Sequence, residues 1–342
     1  LIFSSDGTAL FTYLSRGTPN NFAVSRSRDG GRTWSAPIFV PGGLYDRQFL
    51  VEDASSESRH RGRIYALGKV NLSRLSGPAF QAIAVSDSTD GGETFSPPRL
   101  FVPPDDNDPL WIVAGAMITR TGKIVLPFAT VIRPKQSDAT LHYTLWTTES
   151  TDGGRVFSSP RLVTPRVILR GNVQKYVCVP SMAIDRSGGP HDGWMYLTWS
   201  LPRDGGYAIQ VWRSEDNGGT WLPGVTVNDN PRPSGHVNPA VAVNGRGELG
   251  VAWYDRRGDR EGNCHRLFTA ASTDGGATFS VNMPATQQET CVSPGRWANA
   301  GDTLGLASDA SGRFHSVFIS GRDSSAMQLY DASFTVNAAG RR

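Results

Sequence analysis

Apolar and polar residues alternate along this chain in short runs, and no stretch keeps the 3.6-residue period of an amphipathic helix. In "HVNPAVAVNGRGELGVAWYDRR…CHRLFTAASTDGGATFS" three alternating runs are divided by turn residues, followed by a glycine-rich turn and a short fourth run. The same order recurs in "VPSMAIDRSGG…GWMYLTWS…YAIQVWRSEDNGGTW" and in "AGAMITRTGKIVLPFAT…TLHYTLWTTESTDGGRVF". Alternation with period two is the signature of half-buried strands, so each unit predicts a four-stranded antiparallel sheet.

The turn between the third and fourth run is nearly constant: "SRDGGRTW", "STDGGETF", "STDGGRVF", "SEDNGGTW" and "STDGGATF". Its aspartates, Asp29, Asp90, Asp152, Asp216 and Asp274, recur at intervals of about 60 residues, the mark of a repeat architecture. Four-stranded units repeated around an axis make a β-propeller, and 342 residues accommodate six. The sixth unit, "TLGLASDASGRFHSVFISGRDSSAMQLYDASFTV", has three runs and no such turn, while the first begins abruptly at "LIFSSDGTALFTYLSR". We therefore expect one domain, 1–342, an all-β six-bladed propeller whose ring is closed by strands from both termini. Within the turn, glycines supply positive φ and the aspartate accepts backbone N–H groups. The aromatic at its end (Trp34, Phe95, Phe157, Trp221, Phe279) is expected to pack beneath a neighbouring strand.

Composition narrows the function. A formal charge of +3 is too weak to argue for nucleic acid. No apolar run reaches the ~18 residues of a membrane span, so no membrane insertion is expected. The chain opens without Met or an apolar leader, as a trimmed or mature fragment would. Lys69, Lys123, Lys135 and Lys175 are the only lysines among 34 basic residues, so arginine dominates. Its planar fork suits carboxylates, but it also suits ion pairs between neighbouring strands. Cysteine and histidine spacing predicts no metal site and no cofactor.

The repeated turn resembles the Asp-box of the sialidase superfamily, and five matches at even spacing cover nearly the whole chain. That resemblance implies a secreted, extracellular exo-α-sialidase-like glycoside hydrolase, with the boxes on the face opposite the active site and a structural role. The opposite face then gathers loops that we read for chemistry. Asp46 is expected as acid/base and Asp255 as a second carboxyl. Arg47, Arg257 and Arg296 are expected to clamp an anion, joined by Arg170, Arg322, Trp111, Tyr176 and Tyr254 as substrate contacts. For any single Arg/Asp pair the competing reading is an ion pair between blades. The resemblance also implies three arginines for the substrate carboxylate and a Tyr–Glu nucleophile. Here Thr303 stands at the last blade's entry in place of Tyr, no Glu occurs at the fourth blade's entry, and the first arginine is expected upstream of Leu1 or absent.

Two other classes compete: a lectin-like propeller without catalysis, and a polysaccharide lyase using His142, Tyr176, His236, Tyr254 or His265 as base. A glycan or polysaccharide is the expected partner and a monomer the expected state. Cys264 and Cys291 are expected to form a disulfide, two separate thiols being the alternative, and Cys178 to be a core thiol. The run Asp105 to Asp108 is read as a solvated turn rather than a calcium site.

Overall fold

Strand and turn residues follow the predicted grammar closely in the computed structural model, which describes residues 1–15, 21–42, 45–72, 80–101, 110–132, 141–169, 179–203, 206–230, 235–259, 264–291, 304–320 and 328–336. Among these, every regular element is a strand. Six antiparallel sheets succeed one another along the chain, the blades of a six-bladed β-propeller. Blade one is β1 (Ile2–Phe3), β2 (Ala9–Ser15), β3 (Asn21–Ser27) and β4 (Ile38–Phe39). Blade two is β5 (Tyr45–Glu52), β6 (Ile64–Leu72), β7 (Phe80–Ser88) and β8 (Arg99–Phe101). Blade three comprises β9 (Leu110–Val113), β10 (Met117–Ile118), β11 (Ile124–Ile132), β12 (Leu141–Ser150) and β13 (Arg161–Leu162), and β14 (Val167–Leu169) also pairs with β12. Blade four is β15 (Ser181–Ile184), β16 (Met195–Arg203), β17 (Gly206–Ser214) and β18 (Val225–Thr226). Blade five is β19 (Val237–Val243), β20 (Leu249–Asp255), β21 (Cys264–Ser272) and β22 (Met283–Pro284), with β23 (Thr290–Cys291) on the far end of β21. Among the described residues blade six has three strands, β24 (Gly305–Ser308), β25 (Phe314–Ser320) and β26 (Gln328–Phe334).

The chain divides into two compact units: Leu1–Ile132 with Leu145–Leu162, and Arg133–Thr144 with Val163–Arg342. Among the described residues β1 pairs with β2 and β26 with β25, and residues 337–342, on which the expected closure by both termini also bears, lie outside them. Apolar cores lie between successive sheets. In the first unit, Leu10, Phe22 and Val24 of blade one meet Ile64, Ala66 and Ala84 of blade two. In the second, Tyr196 and Val211 of blade four meet Val251 and Trp253 of blade five. Removing each of the Leu, Ile, Val and Phe side chains from water stabilises the fold by roughly 1.5–3 kcal/mol.

The repeated turn holds itself together. Asp29 Oδ1 accepts from the N–H of Arg32 and Thr33, its Oδ2 accepts the Thr33 hydroxyl at 2.6 Å, and Ser27 Oγ accepts the Gly31 N–H at 2.8 Å. Asp90 and Asp274 repeat this set. The turn needs left-handed backbone at two positions, which Gly30 and Gly31 supply at φ 74° and 85°. Blade four puts Asn217 in the first of these, at φ 59°. Phe95, Phe157 and Phe279 pack against the apolar cores, whereas Trp34 stays 42% exposed and turns its indole N–H onto the Gly31 carbonyl.

Arginines join several of these blades to the turn of the next. Arg26 pairs with Glu93 in the turn of blade two at 2.9 Å. Arg99 donates to the Gly154 carbonyl in blade three, Arg213 to Gly275 in blade five, and Arg246 to Ser311 and Gly312 in blade six. These four arginines thus act as mortar between blades.

Candidate functional site

Asp46 opens the first strand of blade two. Opposite it, Lys69 interrupts the apolar run "IYALGKVNL" of β6, and its Nζ lies 2.8 Å from Asp46 Oδ2. The Lys69 side chain is 7% exposed, the Asp46 carboxylate 49%. A buried ammonium therefore holds a carboxylate that solvent and ligands reach. The pairing register slips between Asp46 and Phe49, a β-bulge, and Arg47 within it has φ 56°. Bulges re-aim side chains, and a non-glycine residue at positive φ stores strain of about 1–3 kcal/mol, a device concentrated at binding sites. Blade five repeats the device: the register slips between Val237 and Ala240, with Asn238 at φ 52°.

Asp255 closes the second strand of blade five and is fully buried. Its Oδ1 accepts the Arg257 backbone N–H and Nε–H; its Oδ2 accepts Arg257 Nη2 at 2.8 Å and the Trp253 indole N–H at 2.9 Å. His236 Nδ1 stands 3.3 Å from the same oxygen. Arg257 continues to Asp229 and Asn282, at 2.8 and 3.0 Å, and its guanidinium lies 4.2 Å from the centre of the Phe268 ring. Asn282 and Asp229 close the loop through their backbones. Both predicted roles are corrected here. A carboxylate saturated by donors has no oxygen left to move a substrate proton, and Arg257's fork already grips two carboxylates of its own protein. The geometry of this pair is an ion pair, made within blade five rather than between blades.

Tyr254 also departs from expectation. Its ring is 1% exposed, stacked edge-on against His265 at 4.5 Å, and its hydroxyl accepts the Ile319 N–H. No face remains for a sugar. Burial pushes its pKa up to about 12. His236 and His265 are driven the other way by burial, to about 4 and about 3. Arg256 adds a smaller repulsion to His265, whose two ring nitrogens have no hydrogen-bond partner. None of the three is a ready base at neutral pH. His142 sits opposite Ile168 on β12, partly exposed.

Arg256 was not singled out by sequence. It is the only arginine in the buried class among the described residues, and Gly235 makes room for it: a Cβ there would stand 2.8 Å from Arg256 Cδ. The signal was available, since alternation at a strand end must send Arg256 and Arg257 to opposite faces. Lys69 was missed likewise, although a lysine inside an apolar strand is rarely idle. Cys264 and Cys291 form the expected disulfide, facing each other across β21 and β23. Trp111 lies on β9 with its backbone opposite Thr130. Arg170, Tyr176, Cys178, Arg296, Arg322 and Asp105 to Asp108 lie outside the described residues. No group of metal-ligating side chains occurs among the described residues.

No protein-family model matches the chain. Solved structures do match its fold. The α-L-arabinofuranosidase Arb93A from Fusarium graminearum superimposes with a TM-score of 0.62 at 18% identity, over 98% of this chain and 91% of that one. The NanB sialidase from Streptococcus pneumoniae gives 0.58 at 12% identity, over 98% and 67%. The α-L-arabinanase from Penicillium chrysogenum gives 0.58 at 14% identity, over 97% and 91%. These three structural neighbours are glycoside hydrolases built on six-bladed propellers, and at these identities the likeness is one of fold.

Proposed function

We propose that this protein is a glycoside hydrolase that removes a terminal sugar from a glycan, with an acidic, sialic-acid-like sugar as the narrower reading. The observation that carries it is Asp46: a half-exposed carboxylate fixed by buried Lys69 at the mouth of a bulged strand. In this reading Asp46 exchanges a proton with the glycosidic oxygen or an attacking water, and Lys69 fixes where its carboxylate points. Arg47 beside it, and Arg170, Arg296 and Arg322, hold the sugar's carboxylate, with Trp111 and Tyr176 as apolar walls. Asp255 and Arg257 serve as framework. The arginine-rich loops favour an acidic sugar, whereas the arabinan-acting neighbours favour a neutral one. The disulfide supports an oxidising, extracellular location.

Fluorogenic sialoside and α-L-arabinofuranoside assayed side by side test this. Release from the sialoside that Asp46→Asn abolishes in a protein that still folds, its melt lowered because buried Lys69 loses its charge partner, is the expected result. Release insensitive to that change sinks the assignment of Asp46. A second reading, glycan binding without catalysis, is favoured by the locking of Asp255, which leaves one carboxylate where two were expected. Saturable glycan binding with no product would establish it. The lyase reading loses support because Tyr254 is buried and its proton tightly held.

A further inference from the structure

The turn between the first two strands of blade two, residues 53–63, shares its backbone with that of blade four, residues 185–194. The N–H groups of Asp53 and Asp185 donate to the carbonyls of Arg63 and Trp194, and Gly62 and Gly193 donate back to Asp53 and Asp185. The N–H groups of Arg63 and Trp194 donate in turn to the carbonyls of His60 and His191. Each of these histidines lies against the repeated turn of the next blade. A Cβ at Gly153 would stand 2.9 Å from His60 Nε2, and one at Gly275 would stand 2.9 Å from His191 Nε2.

The two corners match in backbone and differ in charge. Arg59, Arg61 and Arg155 at the first correspond to Pro190, Asp192 and Ala277 at the second, so the fold itself does not require the three cations. All three are exposed and lie inside continuous described stretches, and among the described residues their guanidiniums make no ion pair or hydrogen bond. Arg26, Arg99, Arg213 and Arg246, by contrast, are each engaged with a neighbouring blade. Nearby carboxylates are already occupied. Asp53 is buried and accepts the Ser55 N–H and the Ser58 hydroxyl, Asp87 is shared by Arg63 and Arg99, and Asp152 accepts the N–H groups of Arg155 and Val156. Glu57 is the exposed carboxylate of the segment. His60 registers the excess: burial first, then Arg63, Arg59 and Arg155 against the opposing Asp53, hold its pKa below the ordinary value.

We propose that this corner of blades two and three is a second binding site, for an acidic polysaccharide whose carboxylates or sulfates are held by Arg59, Arg61 and Arg155. A guanidinium fork grips either group through two parallel hydrogen bonds, and three forks gathered around His60 favour a ligand that repeats its charge. Val156, 68% exposed, adds an apolar contact at the same corner. It replaces the threonine whose hydroxyl the other four turns bond to their aspartate. The corner follows the far end of β5 from Asp46, roughly 20 Å along the strand. A polymer reaches both places, whereas a small glycoside reaches only Asp46. The choice of a polysaccharide among polyanions rests on the glycan reading above; the cationic site does not.

Polygalacturonate, heparin and neutral dextran, each titrated into the whole chain and followed by calorimetry, test this. Saturable binding of polygalacturonate or heparin, weakened by added salt, is expected, and the tighter of the two assigns carboxylate or sulfate. Arg61→Asp with Arg155→Ala, the residues blade four carries at these places, should weaken it about tenfold with the melt unchanged. Arg59→Gln should give a smaller loss, and it decides the matter if the double variant misfolds. Arg28→Asp with Arg32→Ala makes the same change of charge in the turn of blade one and should leave binding as it was. Equal loss from both pairs, equal binding of dextran, or no binding at all overturns the inference. Tighter binding of single-stranded DNA or of phosphatidylserine vesicles also overturns it, since another polyanion then fits the corner better. Asp46→Asn should bind as the wild type does, so failure of the hydrolase reading and failure of this one are read apart.

Discussion

Lys69 Nζ and Asp46 Oδ2 lie 2.8 Å apart, and burial divides them unequally, 7% against 49% exposed. Removing the exposed partner strands the buried one. Asp46→Ala is expected to destabilise the fold by about 1–3 kcal/mol, whereas Lys69→Met, which removes the buried charge, costs less than that. Urea midpoints of the two variants check the order. Turnover behaves differently: both variants lose it, since Lys69 fixes the carboxylate's position.

Arg257 and Asp255 form a framework whose loss is structural. Arg257→Ala leaves a fully buried carboxylate without its main donors, and a loss of about 3–5 kcal/mol follows. Arg257→Lys recovers little, because an ammonium cannot reach Asp255, Asp229 and Asn282 together. Calorimetry of both variants measures this. A melt unchanged by Arg257→Ala would make that arginine a candidate substrate contact again.

Acid weakens the fold in two successive windows. His236 is held down to about 4 from an ordinary 6.5, so the unfolded chain takes the proton first. Stability therefore declines as pH falls from about 6.5 to about 4. Asp29 and Asp90 are lowered to about 2 from 3.8; for Asp29 the Thr33 bonds are the largest cause, and for Asp90 burial is the largest single influence and raises it, but the bonds from Thr94, Ser88 and Glu93 together outweigh it. Their contribution is complete above about 3.8 and is lost between there and about 2. Denaturation midpoints against pH should show both slopes. His236→Asn should reduce the upper slope without abolishing it, because His265, lowered to about 3, loses stability through the same range.

The disulfide closes a loop of 27 residues in sequence separation. Loop entropy predicts that Cys264→Ser with Cys291→Ser costs about 3–4 kcal/mol. Reducing agent should shift the wild-type melt and leave the double variant unmoved.

The turns, the strand order and the blade count were legible because each is local: a period of two, glycine at positive φ, an aspartate facing its own backbone. The disulfide was legible because both cysteines fell on neighbouring strand ends. The site was less legible, for a physical reason. "YDRR" reads as chemistry, but sequence does not say how many donors will converge on Asp255, since Trp253, His236 and Arg257 reach it from strand, entry loop and turn. Tyr254 looked like an exposed platform because it ends a strand, yet His265 and the Ile319 amide enclose it. Lys69 carried a signal of its own, a charge amid apolar neighbours, and that kind of contradiction is a better guide to a site than a cluster of charges.

The arginine grips run one way along the chain: a side chain already made in one blade takes hold of a turn in the blade that follows, from Arg26 to Glu93, Arg99 to Gly154, Arg213 to Gly275 and Arg246 to Gly312. On a ribosome adding about 5–20 residues each second, a blade of about 60 residues emerges over several seconds, while hairpins close in microseconds. Each of these nascent blades therefore meets a cation that the chain has already synthesised for its turn. The architecture is vectorial, and synthesis from the amino terminus is the direction it suits.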